Sequence, residues 1–345
     1  MHNMMIITQK VDTNDPVLGF FHRWIEEFAK HAERVEVLCL FLGAHALPPN
    51  VFVRSLGKEK GYSKLRQLAR FWKYCARLTP QIDGVFVHMN AVYVPLGWLF
   101  WKLHRKKIIL WRNHPQGGVL ARIAYALADR ILYTSPFAHA ARHPRSQRMP
   151  AGIDTEFFRC DQRVVRKPNS ILCLGRISPI KHLETVIEAA RLLLKKNTSF
   201  TLSVIGSPTN PEDYAYEKNL RKNAWELVER GNVVFSPGVP QQEVPRLYNS
   251  HEIFVNATPV GSYDKTVLEA TACETLTTTS NVSFSDVVPK ERLFTQGDSQ
   301  SLADNIDAML QISAEEKKRL AGEYRRRVIE RHGLAELARL IFSMR

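Results

Sequence analysis

Four turns in the second half of the chain carry residues whose types and spacing could do chemistry. In Leu174-Gly175-Arg176-Ile177-Ser178-Pro179-Ile180-Lys181 an apolar run ends at a glycine, and two cations stand five residues apart in the turn beyond it. Such a pair suits a diphosphate, because it can neutralise both phosphate groups from one side; solvated surface cations show the same spacing. The run "VIGSPTNPED" turns at Gly206, where the missing side chain lets a ligand approach the backbone. "FSPGVPQQEV" is a Gly/Pro loop that either presents backbone groups near Val239 to a base or is an ordinary turn. The fourth, "PVGSYDKTVLEATACE" (259–274), passes from Gly261-Ser262-Tyr263-Asp264 into an apolar helical stretch with Glu269 one turn inside. Helix N-termini leave N–H groups free for phosphate, which makes Lys265 and Thr266 candidates. Asp264 is either the N-cap of that helix or a carboxylate aimed at a ligand. In the first half, His114 follows an apolar run in "LWRNHPQGG" and His88 sits in "FVHMN"; packing or surface exposure would explain either alone.

The elements that must position these turns alternate. Short apolar runs at 4–9, 35–41, 84–89, 107–111 and 130–135 read as strands buried on both faces, separated by helical patterns at 18–33, 62–79 and 118–129. The rhythm repeats with strands at 170–175, 200–206, 232–238, 252–257 and 276–280, and helices at 182–196, 216–230, 243–250 and 265–273. Alternating β and α with short loops implies parallel sheets and right-handed crossovers, and ligands then bind at the carboxyl ends of the strands. The expected fold is α/β: two Rossmann-like, doubly wound domains, at 1–150 and 151–325. They are joined near the Pro/Gly-containing "RSQRMPAG". A tail, 326–345, reads as helix broken at Gly333 and is expected to return to the N-terminal domain.

Composition narrows the functions. The 345 residues carry a net charge of +14, and residues 1–150 hold 22 Lys and Arg against 9 Asp and Glu, whereas the remainder holds 26 against 25. A one-signed field over one domain attracts polyanions or an anionic membrane surface. No apolar run approaches the ~20 residues of a membrane span, and the first residues read as a strand rather than a signal peptide, so a cytoplasmic location is expected. Five cysteines without a C-x-x-C pair fit a reduced protein with no metal site. G-x-G-x-x-G, P-loop and H-E-x-x-H motifs are missing, which sets aside nicotinamide dehydrogenases, P-loop nucleotidases and zinc peptidases. In "YSKLRQLARFWKYCARLT", Leu65, Leu68, Ala69, Trp72 and Ala76 share one helical face, with Lys64, Arg66, Arg70, Lys73 and Arg77 around it. The face is either core-directed or, with "GWLFWKLHRKK", an interfacial surface with aromatics for the headgroup layer and cations for anionic lipid.

In order along the chain, "MPAGIDTEFF", "LGRISPIKHLETVIEAA", "VIG", "VVFSPGVPQQEVPRLYNSHEIFV" and "SYDKTVLEATAC" resemble the motifs of the retaining GT-B glycosyltransferases of family four. The resemblance covers about the last 200 residues; the first half shares only the fold rhythm expected of an acceptor-binding domain. It implies that Gly175, Arg176 and Lys181 bind the donor diphosphate, that Glu269 holds the ribose hydroxyls, that the backbone at Asp264 to Thr266 receives the distal phosphate, and that Val239 lies near the base. His114 would face the donor as a catalytic group, with His88 the weaker candidate. Two departures stand out. The family's Gly-Gly loop after the first strand is replaced by "QKVDTNDPVLGFF", with Asp12, Asn14, Asp15 and Gly19, and the first acid of its carboxylate pair is Gly261. The expected function is retaining, metal-independent transfer of a sugar from a UDP- or GDP-linked donor, without further cofactor, to a glycan or lipid-linked acceptor. Nucleic acid is not an expected partner. A nucleotide-sugar epimerase, a nucleic-acid-binding protein and a non-catalytic family member are the rivals.

Overall fold

The computed structural model describes residues 2–15, 17–261 and 263–344. Ser262, in the turn before the Glu269 helix, lies outside them. The chain folds as two compact units, Met1–Gly152 with Leu334–Arg345, and Ile153–Gly333. The boundary expected at 325 falls at 333, because one helix runs from Ala314 to His332 and its last turns stay tied to the second unit, Arg327 donating to the Val287 carbonyl and Arg331 to the Asp286 carbonyl.

In the first unit the strands are β1 (Asn3–Val11), β2 (Arg34–Leu42), β3 (Val51–Ser55), β4 (Gly84–His88), β5 (Lys107–Trp111), β6 (Arg130–Tyr133) and β7 (Ser146–Arg148). They form one parallel sheet in the order β3-β2-β1-β4-β5-β6-β7. The helices are α1 (Phe20–Ala29), α2 (Lys64–Leu78), α3 (Tyr93–Leu103) and α4 (Val119–Leu127). The pleat sorts the core by alternation. Met4 and Ile6 of β1 pack with Phe21, Trp24 and Phe28 of α1, whereas Met5 and Ile7 face Phe71 of α2, Trp101 of α3 and Tyr125 of α4. The last helix, α12 (Leu334–Ser343), completes the α1 layer through Leu334, Leu337, Ala338 and Ile341. Gly152 holds this junction: at φ +69° a Cβ would meet Trp24 and Leu337, and the Trp24 indole donates to its carbonyl at 2.8 Å.

The second unit contains β8 (Ser170–Leu174), β9 (Thr201–Ile205), β10 (Val233–Ser236), β11 (Ile253–Asn256) and β12 (Leu276–Thr279), parallel in the order β10-β9-β8-β11-β12. Its helices are α5 (Leu183–Lys195), α6 (Pro211–Asn223), α7 (Trp225–Glu229), α8 (Val244–Ser250), α9 (Thr266–Ala272), α10 (Ser299–Leu310) and α11 (Ala314–His332). In both sheets the strand order reverses beside a central strand, which opens a crevice at the carboxyl edge.

Four elements were not read from the sequence. The edge strands β3 and β7 are short, and β7 falls in the stretch read as a hinge. The helix α3 has Pro95 in its first turn, where proline is tolerated. The α10 pattern is interrupted by polar residues. The stripe on α2 is corrected: Leu65, Ala69, Trp72 and Ala76 are exposed, and the core takes Phe71, Cys75 and Leu78 instead. No described helix is long and apolar enough to cross a membrane.

Candidate functional site

The second unit gathers its candidate residues at the carboxyl ends of β8 and β11. β8 ends on Gly175 at φ +141°, a conformation that side chains disfavour. A Cβ on Gly206 would lie 1.9 Å from the Gly175 carbonyl oxygen, so the ends of β8 and β9 approach as only glycine allows. The Gly238 N–H donates to Ser207 Oγ at 3.0 Å, which brings the loop carrying Val239 beside Gly206. A small pocket here is lined by Gly175, Arg176, Lys181, Asn256 and Thr258.

Its two cations already face carboxylates. Lys181 Nζ bonds Asp264, whose Oδ2 also accepts from Asn256 Nδ2 at 2.8 Å and Thr258 Oγ1 at 3.3 Å. Burial pushes the Asp264 carboxyl up, but Lys181, Asn256 and Thr266 outweigh it and hold the group below the usual carboxylate range. Arg176 Nε lies 3.8 Å from Asp213, itself buried and bonded to Thr209 and Asn210. The N-cap assignment for Asp264 is corrected. The helix α9 begins at Thr266, Lys265 holds the cap position, and Asp264 stands one residue outside, accepting the Thr266 N–H at 3.3 Å. That N–H, expected to be free for a phosphate, already has a carboxylate partner.

One turn into α9, Glu269 accepts from the Tyr248 hydroxyl at 3.3 Å. Burial pushes Glu269 up to about 7 against the opposing pull of Lys265. Burial likewise pushes Lys265 down to about 7, opposed by Glu269. This is the pattern of an ionisable pair in a dry site beside a strand end. Asp213, Asn256 and Thr258 were missed in the sequence. Asn256 closes the apolar run "EIFVNA", which was its one available signal; Asp213 lies 37 residues beyond Arg176 and gave none.

In the first unit a pocket of about 500 Å³ opens at the ends of β1, β4 and β5, with Gln9, Leu18, His88, Asn90, Arg112 and His114 in its lining. His88 is a packed histidine with one edge at this pocket. Its ring stacks on Phe21 at 3.9 Å between centroids, and Nδ1 lies 3.4 Å from Thr8 Oγ1. His114 is exposed, and its Nδ1 lies 3.1 Å from the Gln116 N–H, shaping the 114–118 loop. Asp15 ties the loop after β1: it accepts from the Val17 and Leu18 N–H groups at 2.8 and 2.7 Å and from Lys10 at 2.6 Å. Gly19 has an ordinary helical φ of −55° and does not line the pocket.

The sequence profile of the family described as glycosyl transferases group 1 matches residues 154–328. The chain belongs to that family. No curated protein sequence matches it. Solved structures agree with the fold. HepE of Anabaena, in complex with UDP and glucose, is 16% identical over 98% of this chain and 97% of that one, with a TM-score of 0.75. A glycosyltransferase from Rickettsia africae is 14% identical over 98% and 97%, also at 0.75. Sucrose-phosphate synthase from Thermosynechococcus elongatus is 16% identical over 98% and 97%, at 0.70. At these identities the likeness concerns the architecture: this group 1 glycosyltransferase has the GT-B fold.

Proposed function

We propose that the protein transfers a hexosyl group from a nucleotide-diphosphate sugar, UDP- or GDP-linked, to a lipid-linked or glycan acceptor with retention of configuration. One observation carries the donor assignment. Arg176 and Lys181 stand at the end of β8 over a glycine-lined pocket, beside the α9 N-terminus, where negative charge on a leaving diphosphate would be met by fixed cations. HepE, with the same architecture, is known in complexes with UDP and with UDP-glucose, which supports this kind of donor. In this reading Glu269 takes the ribose hydroxyls and Val239 borders the base. His114 is the catalytic candidate of the first unit, and the two cations do the work a metal ion would otherwise do.

The acceptor side follows from exposed surface. Adjacent helices α2, α3 and α4 present Leu65 (79% exposed), Trp72, Leu99, Leu103 (73%), Val119 and Ile123 to solvent, among exposed Lys64, Arg66, Lys73, Arg77 and Arg105. Apolar and cationic side chains mixed on one face suit an anionic bilayer surface, so the protein works peripherally, on the cytoplasmic side. A thermal-shift screen of nucleotides tests the donor: stabilisation by UDP or GDP is expected, and none from any nucleotide overturns the reading. The anomeric configuration of the product, read by NMR, decides retention, and turnover surviving EDTA decides the role of metal.

A further inference from the structure

The turn from Gly175 to Leu183 carries both cations of the second-unit site, and its own geometry does little to hold them. It has two positive-φ joints, Gly175 at +141° and His182 at +46°, and α5 starts directly behind it without a side-chain cap of its own. Arginine and lysine have long, rotamer-rich side chains, so their charges are only as well placed as the turn beneath them. What fixes the turn comes from the stretch after β9. Ile177 is buried in the second core, and its N–H donates to the Ser207 carbonyl at 3.3 Å. Two side chains of α6, Asp213 and Tyr216, stand three residues apart and therefore on one face of the helix. Each reaches a different end of the turn.

Asp213 is buried and accepts from the Thr209 N–H and hydroxyl at 3.2 and 2.9 Å and from Asn210 Nδ2 at 3.0 Å. These donors are neutral, and Arg176 is the one ion-pair partner of Asp213 among the described residues. Their separation of 3.8 Å is beyond hydrogen-bond range, so the carboxylate orients the guanidinium without taking its N–H groups. At the other end, the Tyr216 hydroxyl accepts the Leu183 N–H at 2.8 Å, a helix-end donor that no cap side chain takes, and donates to Glu184. The Tyr216 ring packs on the second core, so its packing is separable from its hydroxyl. Fixed charges stabilise a leaving group best when they need no reorganisation as it departs, and α6 supplies that restraint to both cations.

We propose that α6 is the positioning element of this site: Asp213 orients Arg176, and Tyr216, through the Leu183 N–H, fixes the turn that carries Lys181. Neither is a catalytic residue, and the inference rests on the donor reading given above. Binding to the full chain compares UDP with uridine and GDP with guanosine, by calorimetry and, for the weaker nucleosides, by ligand-observed NMR. A residue that acts through the two cations moves the diphosphate and spares the nucleoside. Asp213→Asn and Tyr216→Phe should each bind the preferred nucleotide roughly three- to ten-fold more weakly, with nucleoside affinity as in the parent. Double-mutant cycles separate positioning from support of the fold. Asp213→Asn should cost nothing further on an Arg176→Ala background, and Tyr216→Phe nothing further on a Lys181→Ala background. Tyr216→Phe keeps its ring and should fold as the parent does. Parent nucleotide affinity in both variants overturns the proposal, as do equal losses for nucleotide and nucleoside, or losses that persist in full on the alanine backgrounds. Tighter nucleotide binding by Asp213→Asn also overturns it, because the carboxylate would then compete with the diphosphate for Arg176. A parent that binds neither UDP nor GDP removes the donor reading, and this inference with it.

Discussion

The two candidate sites hold their cations in opposite ways. In the second unit Lys181 faces Asp264, Arg176 faces Asp213, and Lys265 faces Glu269. In the first, Arg112, Arg122 and Arg142 have no such partner among the described residues. A cation held by a carboxylate is fixed in position but contributes little net field, so it discriminates by geometry. Unpaired arginines contribute a field and attract anions from a distance. Under the proposed function the second unit's carboxylate-held cations would place a diphosphate by geometry, whereas the first unit's unpaired arginines supply a positive field.

The largest break in this contrast is Asp264→Asn. Removing one partner of a buried pair leaves the other uncompensated and costs about 3–5 kcal/mol, so the melting temperature should fall clearly. A diphosphate then replaces the missing carboxylate beside Lys181, and UDP should raise the melting temperature more in the variant than in the parent. Equal UDP shifts would show that Lys181 does not meet the diphosphate.

Next come the cations themselves. Lys181→Ala and Arg176→Ala should each weaken UDP by about 1.5–3 kcal/mol, with Lys181 the larger because Arg176 is half-exposed. Titration calorimetry reads both, and parent affinity in both variants removes the diphosphate assignment.

The Lys265–Glu269 pair should separate stability from binding. The raised Glu269 pKa makes its charged form a cost that grows as pH rises from about 4.5 to 7. The lowered Lys265 pKa makes its charged form a cost that disappears as pH rises from about 7 to 10.5. Their joint contribution is therefore least favourable near pH 7. Replacing both, Lys265→Met with Glu269→Gln, should flatten that minimum and stabilise the fold at pH 7 by about 1–4 kcal/mol while weakening nucleotide binding. Denaturant titrations across pH check the first effect, and an unweakened nucleotide would make the pair structural.

The smallest effect on stability belongs to the exposed helices. Leu65→Ser and Leu103→Ser, at 79% and 73% exposed positions, should stay within about 0.5 kcal/mol of the parent yet reduce co-sedimentation with anionic vesicles at low salt. Unchanged sedimentation would detach the surface from any membrane role.

Much of the architecture was legible because it is written in local pattern. Strands buried on both faces read as continuous apolar runs, so five strands of each sheet could be placed from the sequence, and the turns at Gly175, Gly206 and Asp264 followed from where those runs end. The edge strands β3 and β7 escaped because the first offers an apolar run of only three residues, Val51 to Val53, and the second none.

What only the tertiary structure decided lies between distant residues or between equivalent patterns. On α2, both Leu65/Ala69/Trp72/Ala76 and Phe71/Cys75/Leu78 recur at helical spacing, and only packing on the sheet shows that the second stripe is the buried one. Lys181 and Asp264 are 83 residues apart, so nothing local announces their pairing; the parallel sheet brings the end of β8 beside the loop after β11. Asp213 and Tyr216 were two residues of a polar helix until the fold set them against Arg176 and the start of α5. Periodicity reports which face of an element is apolar, because each residue's chemistry is its own. Pairing and burial depend on what the fold places opposite, and short-range pattern does not contain that.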